Sequence, residues 1–419
     1  MTRKPLGNPR RHWKQDHFIL STFSISANNM RDAIENCAEA GFNLLELGWA
    51  SHEQAEEALR LCEELGINLL FQDFSLFGGM QDNFLSKSRT CTDVRPVTNK
   101  IRLWKHVIGY YVWDEPYVED QLAEARRLVD LFEQADPTRL PFTVAIPSYN
   151  KYYTWKNGEF PQYLERYITT INPPVLSLDF YPIHPEIYNE DVQLDTSYFW
   201  CDLGQMRKLA RNHQLPLWFY YQGMNLLHYP RFTFPMIRMM MYAAAMYGAK
   251  GLQHYKAVDT VIDENGQKGP FFYEQQAIHR EFRKLGNTLM ALESVFVFHS
   301  SDLLPDCPYY ENLRDDIKDS AILCDPLPKR TSAGELKDTY GNRYLLILNR
   351  DVERNADLQL PLKYESRIYE VSKENGRQSL LFDSINTIRL QLAPGDAVLY
   401  RLQPATSDAY TIEYRLEKN

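Results

Sequence analysis

No two of the six cysteines (Cys37, Cys62, Cys91, Cys201, Cys307, Cys324) form a Cys-x-x-Cys pair. Scattered thiols argue against a zinc site or a disulfide frame and suit a reducing compartment. Long apolar runs are also missing: no 18-residue apolar span occurs, and none follows the basic stretch Arg3 to Lys14. The expectation is therefore a chain without signal peptide or membrane helix, cytoplasmic, with residues 1–14 as a flexible basic leader. Positive charge is in deficit, with 46 Lys and Arg against 55 Asp and Glu, a net charge of −9. That balance speaks against a nucleic-acid partner. Gly-x-Ser-x-Gly, His-Glu-x-x-His, P-loop and EF-hand patterns are absent, so those chemistries and their cofactors find no support.

What is present in excess is aromatic. The chain carries 27 Tyr, 21 Phe and 7 Trp, 13% of its 419 residues. Many fall at the ends of strand candidates, where sugar rings could stack through their C–H faces; a large aromatic core explains the same composition equally well.

Apolar runs and amphipathic segments alternate over the first 290 residues. The strand candidates are His17–Phe23, Asn43–Gly48, Ile67–Phe74, His106–Trp113, Phe142–Ile146, Val175–Tyr181, Leu217–Tyr221 and Gly251–Tyr255. Helical patterns lie between them, including Ser51–Leu65, Glu119–Ala135, Phe199–Asn212, Phe234–Tyr247 and Glu274–Leu292. In the first, Ala55, Leu59 and Cys62 recur at i, i+4 and i+7 and mark the core face. Eight such units read as a (β/α)8 TIM barrel over residues 15–292. The rival, an open doubly wound sheet, lacks a Gly-rich phosphate loop after the first strand. Beyond residue 293 helical periodicity stops. Short runs at Tyr344–Leu348, Asp357–Leu360, Arg367–Val371, Thr387–Leu392, Ala397–Leu402 and Tyr410–Tyr414, punctuated by turn formers, read as a C-terminal all-β sandwich, 293–419.

The most informative segment is His106–Pro116, HVIGYYVWDEP. An apolar strand ends in Asp114 and Glu115, and the C-terminal strand ends are where a parallel barrel carries its chemistry. A carboxyl held there among apolar walls gains a raised pKa, as a general acid needs. Asp114 could instead cap the following helix. Asp179, ending the sixth strand in Asp-Phe-Tyr-Pro, is a candidate second carboxylate or a turn former. Glu46 and Asp73 end the second and third strands; Glu46 also suits a buried ion-pair partner. Gln222 follows the seventh strand and is expected to bind a substrate hydroxyl. His254 and Tyr255 end the eighth, where His254 reads as a sugar contact or a core histidine. Trp49, Trp113, Tyr149, Trp155, Tyr181 and Tyr221 are the candidate stacking rings. No cofactor and no metal are expected, the partner is a carbohydrate, and the oligomeric state is not set by the sequence.

Asp114-Glu115-Pro116 resembles the Asn-Glu-Pro found at this place in many retaining (β/α)8 glycoside hydrolases, the family-42 β-galactosidases among them. Asp179-Phe180-Tyr181-Pro182 and Gly248-Ala249-Lys250-Gly251-Leu252 are similar to phrases of that group. The resemblance implies a glycoside hydrolase with Glu115 as acid/base and Asp114 in the Asn position. It also implies a nucleophilic Glu after the seventh strand, where this chain has Gln222, and no acid occurs between Leu217 and Tyr255. Three readings remain open. One is an inverting reaction with Asp179, Glu46 or Asp73 as base. Another is a substrate-assisted reaction on 2-acetamido sugars, resembling the family-20 hexosaminidases with their adjacent Asp-Glu. The last is a carbohydrate-binding barrel without catalysis. A metal-dependent sugar isomerase using Glu46, Glu115, Asp179 and His254 is the rival outside hydrolysis.

Overall fold

The computed structural model describes residues 6–48, 51–72, 91–148, 159–183, 198–226, 232–305, 307 and 309–405. These form two compact units. The first comprises Met1–Val192, Gln205–Pro230 and Ala249–His279, and the second Gln193–Gly204, Arg231–Gly248 and Arg280–Asn419.

In the first unit eight parallel strands alternate with helices. The strands are β1 (Ile19–Thr22), β2 (Leu44–Glu46), β3 (Asn68–Phe71), β4 (Val107–Asp114), β5 (Leu140–Val144), β6 (Leu176–Phe180), β7 (Leu217–Gln222) and β8 (Ala249–Tyr255). Among the described residues the helices of the chain are α1 (Met30–Glu39), α2 (His52–Leu65), α3 (Arg95–Ile101), α4 (Glu119–Ala135), α5 (Glu159–Ile171), α6 (Phe199–His213), α7 (Phe234–Met246) and α8 (Phe272–Ala291). Local chemistry sets their ends. Ser51 and Gln54 form a capping box that starts α2, and Gly66, in the left-handed region at φ 70°, stops it.

The strands pair in the order β5-β4-β3-β2-β1-β8-β7-β6. The ring closes through a bridge from Ala145 to Leu178, with Ala145 N donating to Ser177 O at 2.9 Å. The closed barrel excludes the open doubly wound sheet. Its lower interior holds Ile19, Leu44, Leu70, Leu140, Phe142, Val175 and Trp218. A Cβ on Gly251 would lie 2.7 Å from the Trp218 ring, so glycine makes room for the indole.

Residues 6–15 do not behave as the flexible leader expected of the basic stretch. Trp13 is buried in the barrel's cluster, edge-on to Trp218 with ring centroids 6.1 Å apart. Gln15 accepts from Trp218 Nε1 at 2.9 Å and donates to Lys250 O at 2.7 Å. Arg11, also buried, pairs with Asp130 at 2.8 Å and with Glu133, both on α4. Arg11 thus meets acidic partners, Lys14 donates to the carbonyls of Asn8 and Arg11, and Trp13 packs into the apolar cluster of the barrel.

The second unit is built on one antiparallel sheet of six strands, in the order β13-β12-β14-β11-β10-β9. They are β9 (Glu293–His299), β10 (Thr331–Lys337), β11 (Arg343–Asn349), β12 (Ala356–Val371), β13 (Gln378–Leu392) and β14 (Ala397–Pro404). The long strands bend at register shifts between Pro361 and Tyr369, and the folded-over sheet forms a sandwich around Phe298, Leu345, Ile347, Leu360, Ile368, Ile388 and Tyr400. Those shifts interrupt the alternation, which is why Asp357–Leu360 and Arg367–Val371 read as separate strands in the sequence although they belong to one. Strands β9 and β10 escaped the pattern reading altogether. The Tyr410–Tyr414 run lies outside the described residues.

Trp13→Ala is expected to lower unfolding stability by about 3–5 kcal/mol, the cost of emptying a buried indole site. The measurement is a shift of the urea midpoint; an unchanged midpoint would mean that the N-terminal plug contributes nothing.

Candidate active site

Strand β4 presents its carboxylates through a break in its own alternation. Tyr111 faces Phe142 in the barrel interior, and strict alternation would turn Trp113 inward and Asp114 outward. A register shift between Tyr111 and Trp113 reverses this. Trp113 pairs with Thr143, whose hydroxyl bonds Tyr167 on α5, and Asp114 pairs with Val144 on the pocket side. Glu115 follows in the left-handed region, at φ 47°, a conformation that costs a non-glycine residue on the order of 1 kcal/mol. Its N–H bonds Val144 O at 3.2 Å. Tyr163 of α5 fastens the same corner, donating to Pro116 O and accepting from Ile146 N, both at 3.0 Å.

Asp179, at the end of β6, meets this corner. A side-chain hydrogen bond joins Glu115 and Asp179. Tyr111 donates to Asp114 Oδ1 at 2.8 Å, and Tyr181 donates to Asp179. Burial pushes all three carboxyls up: Asp114 to about 6, Asp179 to about 7 with added repulsion from Asp114, and Glu115 well above the carboxylate range. Repulsion from Asp179 and Asp114 adds to the rise at Glu115, and the shared hydrogen bond divides the pair by raising Glu115 and lowering Asp179. The shared hydrogen bond thus sets the two carboxyls apart, with Glu115 the higher of the pair.

Beneath them lies Glu46, fully buried on β2. Its Oε1 accepts from Ser21 Oγ at 2.7 Å and Gln253 Nε2 at 3.0 Å, and its Oε2 from the Tyr220 hydroxyl. Gln253 is itself oriented by Ser177, which donates to its Oε1 at 2.7 Å. Burial raises the pKa of Glu46 while the three donors oppose the rise. It is a floor residue, as the ion-pair reading of the sequence anticipated in kind, although its partners are neutral donors.

These groups bound a pocket of about 190 Å³ lined by Asp114, Glu115, Asp179, Val144 and the rings of Phe23, Tyr111, Tyr181, Tyr220 and Tyr255. Phe23 and Tyr255 stack at 5.7 Å and Tyr255 meets Tyr181 at 4.7 Å, which makes one continuous aromatic wall.

Several residues expected at the site are elsewhere. Tyr221 and His254 point to the outer face, where Tyr221 accepts from Gln275 at 3.0 Å and His254 packs edge-on to Phe42 and Tyr221. A Cβ on Gly223 would fall 2.0 Å from His254 Nε2, so the chain covers that imidazole tightly. Burial and then His279 push His254 down to about 3, a neutral core histidine. The isomerase ligand set of Glu46, Glu115, Asp179 and His254 is therefore not assembled. Trp113, on the helix side, lines no part of the pocket. Gln222 is buried and spends its amide on backbone: Oε1 accepts from Ile183 N at 2.8 Å, and Nε2 donates to Ile183 O at 2.9 Å and Met224 O at 3.1 Å. It clamps the chain after β6 instead of facing a substrate. Asp73, Trp49, Tyr149 and Trp155 lie outside the described residues. Conversely, Phe23, Tyr111, Val144 and Tyr220 belong to the lining and were not singled out from sequence; counting back by twos from each strand's last inward residue would have found Phe23, Val144 and Tyr220.

No family model matches this chain, and no curated protein matches it. Among solved structures it is similar to a family 51 α-L-arabinofuranosidase from Bifidobacterium longum, 10% identical, TM-score 0.46, over 96% of this chain and 97% of that one. It is also similar to a GH27 β-L-arabinopyranosidase from Geobacillus stearothermophilus, 11% identical, TM-score 0.47, over 93% and 97%. A third is the catalytic domain of the major endoglucanase from Xanthomonas campestris pv. campestris, 12% identical, TM-score 0.44, over 66% and 99%.

A raised carboxyl pKa has a defined stability cost. Asp179 goes from 3.8 to about 7 on folding, so the folded chain binds this proton more tightly; the resulting stability is full below 3.8 and lost as pH rises through 7. Asp179→Asn escapes that loss. Its Tm is expected to exceed wild type above pH 7, by about 2–4 °C for each kcal/mol recovered, with the gap closing toward pH 4. A gap independent of pH would show that Asp179 titrates normally.

Proposed function

We propose that this chain is a glycoside hydrolase in which Glu115 is the general acid and Asp179 the opposing carboxylate. The observation that carries this reading is the convergence of Glu115, Asp179 and Asp114 on one aromatic-walled pocket, where burial raises all three carboxyls and repulsion adds to the rise at Glu115 and Asp179. Cleaving a glycosidic bond needs a proton delivered to the leaving oxygen and a carboxylate that activates water or steadies the cation. Titratable neighbours driven apart in pKa are how one site supplies both at neutral pH. The aromatic wall of Phe23, Tyr181 and Tyr255 suits the C–H face of a sugar ring. Asp114, fixed by Tyr111, orients a polar group of the substrate.

A second reading draws on the same contact. Two carboxyls in hydrogen-bond contact are closer than the about 5–5.5 Å of retaining or 6.5–9.5 Å of inverting pairs. A direct reaction requires the sugar to part them. A 2-acetamido sugar supplies its own carbonyl as nucleophile and asks only for adjacent acids, with Asp114 or Asp179 orienting the acetamido group.

On a panel of 4-nitrophenyl glycosides and oligosaccharides, Glu115→Gln is expected to lower turnover about 10²–10⁴-fold on unactivated leaving groups. Near wild-type turnover on oligosaccharides would sink the acid assignment, and sugar affinity with no turnover on any member would leave a binding barrel. Proton NMR of the first-formed anomer, and the requirement for an N-acetyl group, separate the two readings. The pH profile supplies a further check. Asp114 contributes repulsion that raises both Glu115 and Asp179, so Asp114→Asn is expected to move the acid limb of kcat/KM to lower pH. A limb that stays in place, or moves up, contradicts the coupling.

A further inference from the structure

Tyr220 is placed differently from the other rings of the pocket. It stands on β7, the strand that ends without a carboxylate at Gln222. Its hydroxyl hydrogen is committed downward to Glu46 Oε2, and its side chain lines the pocket beside Asp114 and Asp179. With its proton directed at Glu46, the phenol oxygen turns lone pairs and not its hydrogen toward its other neighbours, and Asp114 and Asp179 are near enough to act on it electrostatically. The arrangement is fixed from below. Gln253 accepts from Ser177 at its Oε1 and donates its Nε2 to Glu46. Ser21 donates to the same oxygen, so Glu46 accepts from three neighbours, Tyr220 among them. Phe23 holds the Tyr220 ring edge-on at 6.4 Å. Among the described lining residues there is no Lys, Arg or His; the polar groups are three carboxyls and four phenols.

We infer that Tyr220 is a catalytic residue whose oxygen stabilises positive charge developing on the sugar, and that Glu46 is its positioning residue. The inference rests on the glycoside hydrolase reading above and holds for either version of it. The exocyclic C–O bond of the sugar breaks with its electron pair going to the leaving oxygen, which takes the proton of Glu115. The positive charge left behind is shared by the anomeric carbon and the ring oxygen. Tyr220 faces that charge with oxygen lone pairs and forms no covalent bond; its hydrogen stays on the phenol, drawn toward Glu46. Water, or the substrate's acetamido oxygen, then closes on the anomeric carbon. When water attacks, its proton passes to Asp179. A fixed dipole of this kind needs no reorganisation as charge appears, which is where electrostatic catalysis is strongest. The same field selects the substrate class: neutral glycosides and cationic mimics are accepted, and uronic acids or phosphorylated sugars are repelled.

The test compares wild type, Tyr220→Phe and Glu46→Gln. The probes are the best 4-nitrophenyl glycoside of the panel, the piperidine iminosugar of matching configuration, and the corresponding free sugar. Tyr220→Phe is expected to lower kcat about 10–100-fold with KM within about twofold, and to shrink the preference for iminosugar cation over free sugar by a similar factor. Glu46→Gln keeps the shape and a hydrogen-bond acceptor for Tyr220 while removing the carboxyl. It is expected to narrow the same preference, and it carries the test should Tyr220→Phe not fold. If wild type hydrolyses the glycoside but the variants keep the cation preference within about twofold, or lose both ligands equally, Tyr220 is packing and the inference falls. Hydrolysis of no glycoside by wild type would overturn the enzyme reading itself and this inference with it.

Discussion

Repulsion among buried carboxyls is the constraint around which the barrel mouth is organised. Asp114, Glu115 and Asp179 converge on one pocket, with Glu46 beneath them, and no Lys or Arg lines that space among the described residues. Four ionised carboxylates at such range would be costly in a poorly hydrated interior. The chain resolves this with protons and neutral donors. Burial and repulsion raise Glu115 well above the carboxylate range and it shares a hydrogen bond with Asp179; Tyr111 and Tyr181 donate to Asp114 and Asp179; Glu46 takes Ser21, Gln253 and Tyr220. In the proposed reading each accommodation serves the chemistry: Glu115 as the acid, Asp179 as the opposing carboxylate, and Tyr220 with its hydrogen bonded to Glu46.

The scaffold exists to impose that geometry. A register shift in β4 turns Asp114 inward, the left-handed backbone at Glu115 turns the next residue toward β6, and Tyr163 fixes the corner from α5. Gln222, carrying no charge, holds the chain beyond β6 instead of adding a further carboxylate to the group. Far below, Trp13 and Trp218 fill the opposite end of the barrel, so the polar floor is supported by a packed apolar layer.

How much of this was legible in the sequence differs by level. The element α4, Glu119–Ala135, matches its pattern residue for residue, and all eight barrel strands were located, because burial on both faces writes long apolar runs. The acid positions Glu115 and Asp179 were legible as polar residues closing such runs. Which face a strand-end residue occupies was not. Tyr221, His254 and Trp113 end the right strands but point outward, since one residue of phase decides the face and a bulge such as that before Trp113 has no signature in a run of aromatics. Gln222 was read through its position alone, and only the backbone partners at Ile183 and Met224 reveal its task. Tyr220 was hidden for the same reason: the partner of its hydroxyl is Glu46, which is 174 residues away in sequence.

The most direct measurement is the protonation state of Glu115 itself. Carbonyl-stretch infrared difference spectroscopy between wild type and Glu115→Gln at pH 7, in H2O and D2O, reads it without any substrate. A proton held on Glu115 gives a carboxylic acid band in wild type that shifts in D2O and disappears in the variant. A spectrum showing only an ionised carboxylate lost on substitution would mean that Glu115 carries no proton at neutral pH, and the acid at the centre of this site would be gone.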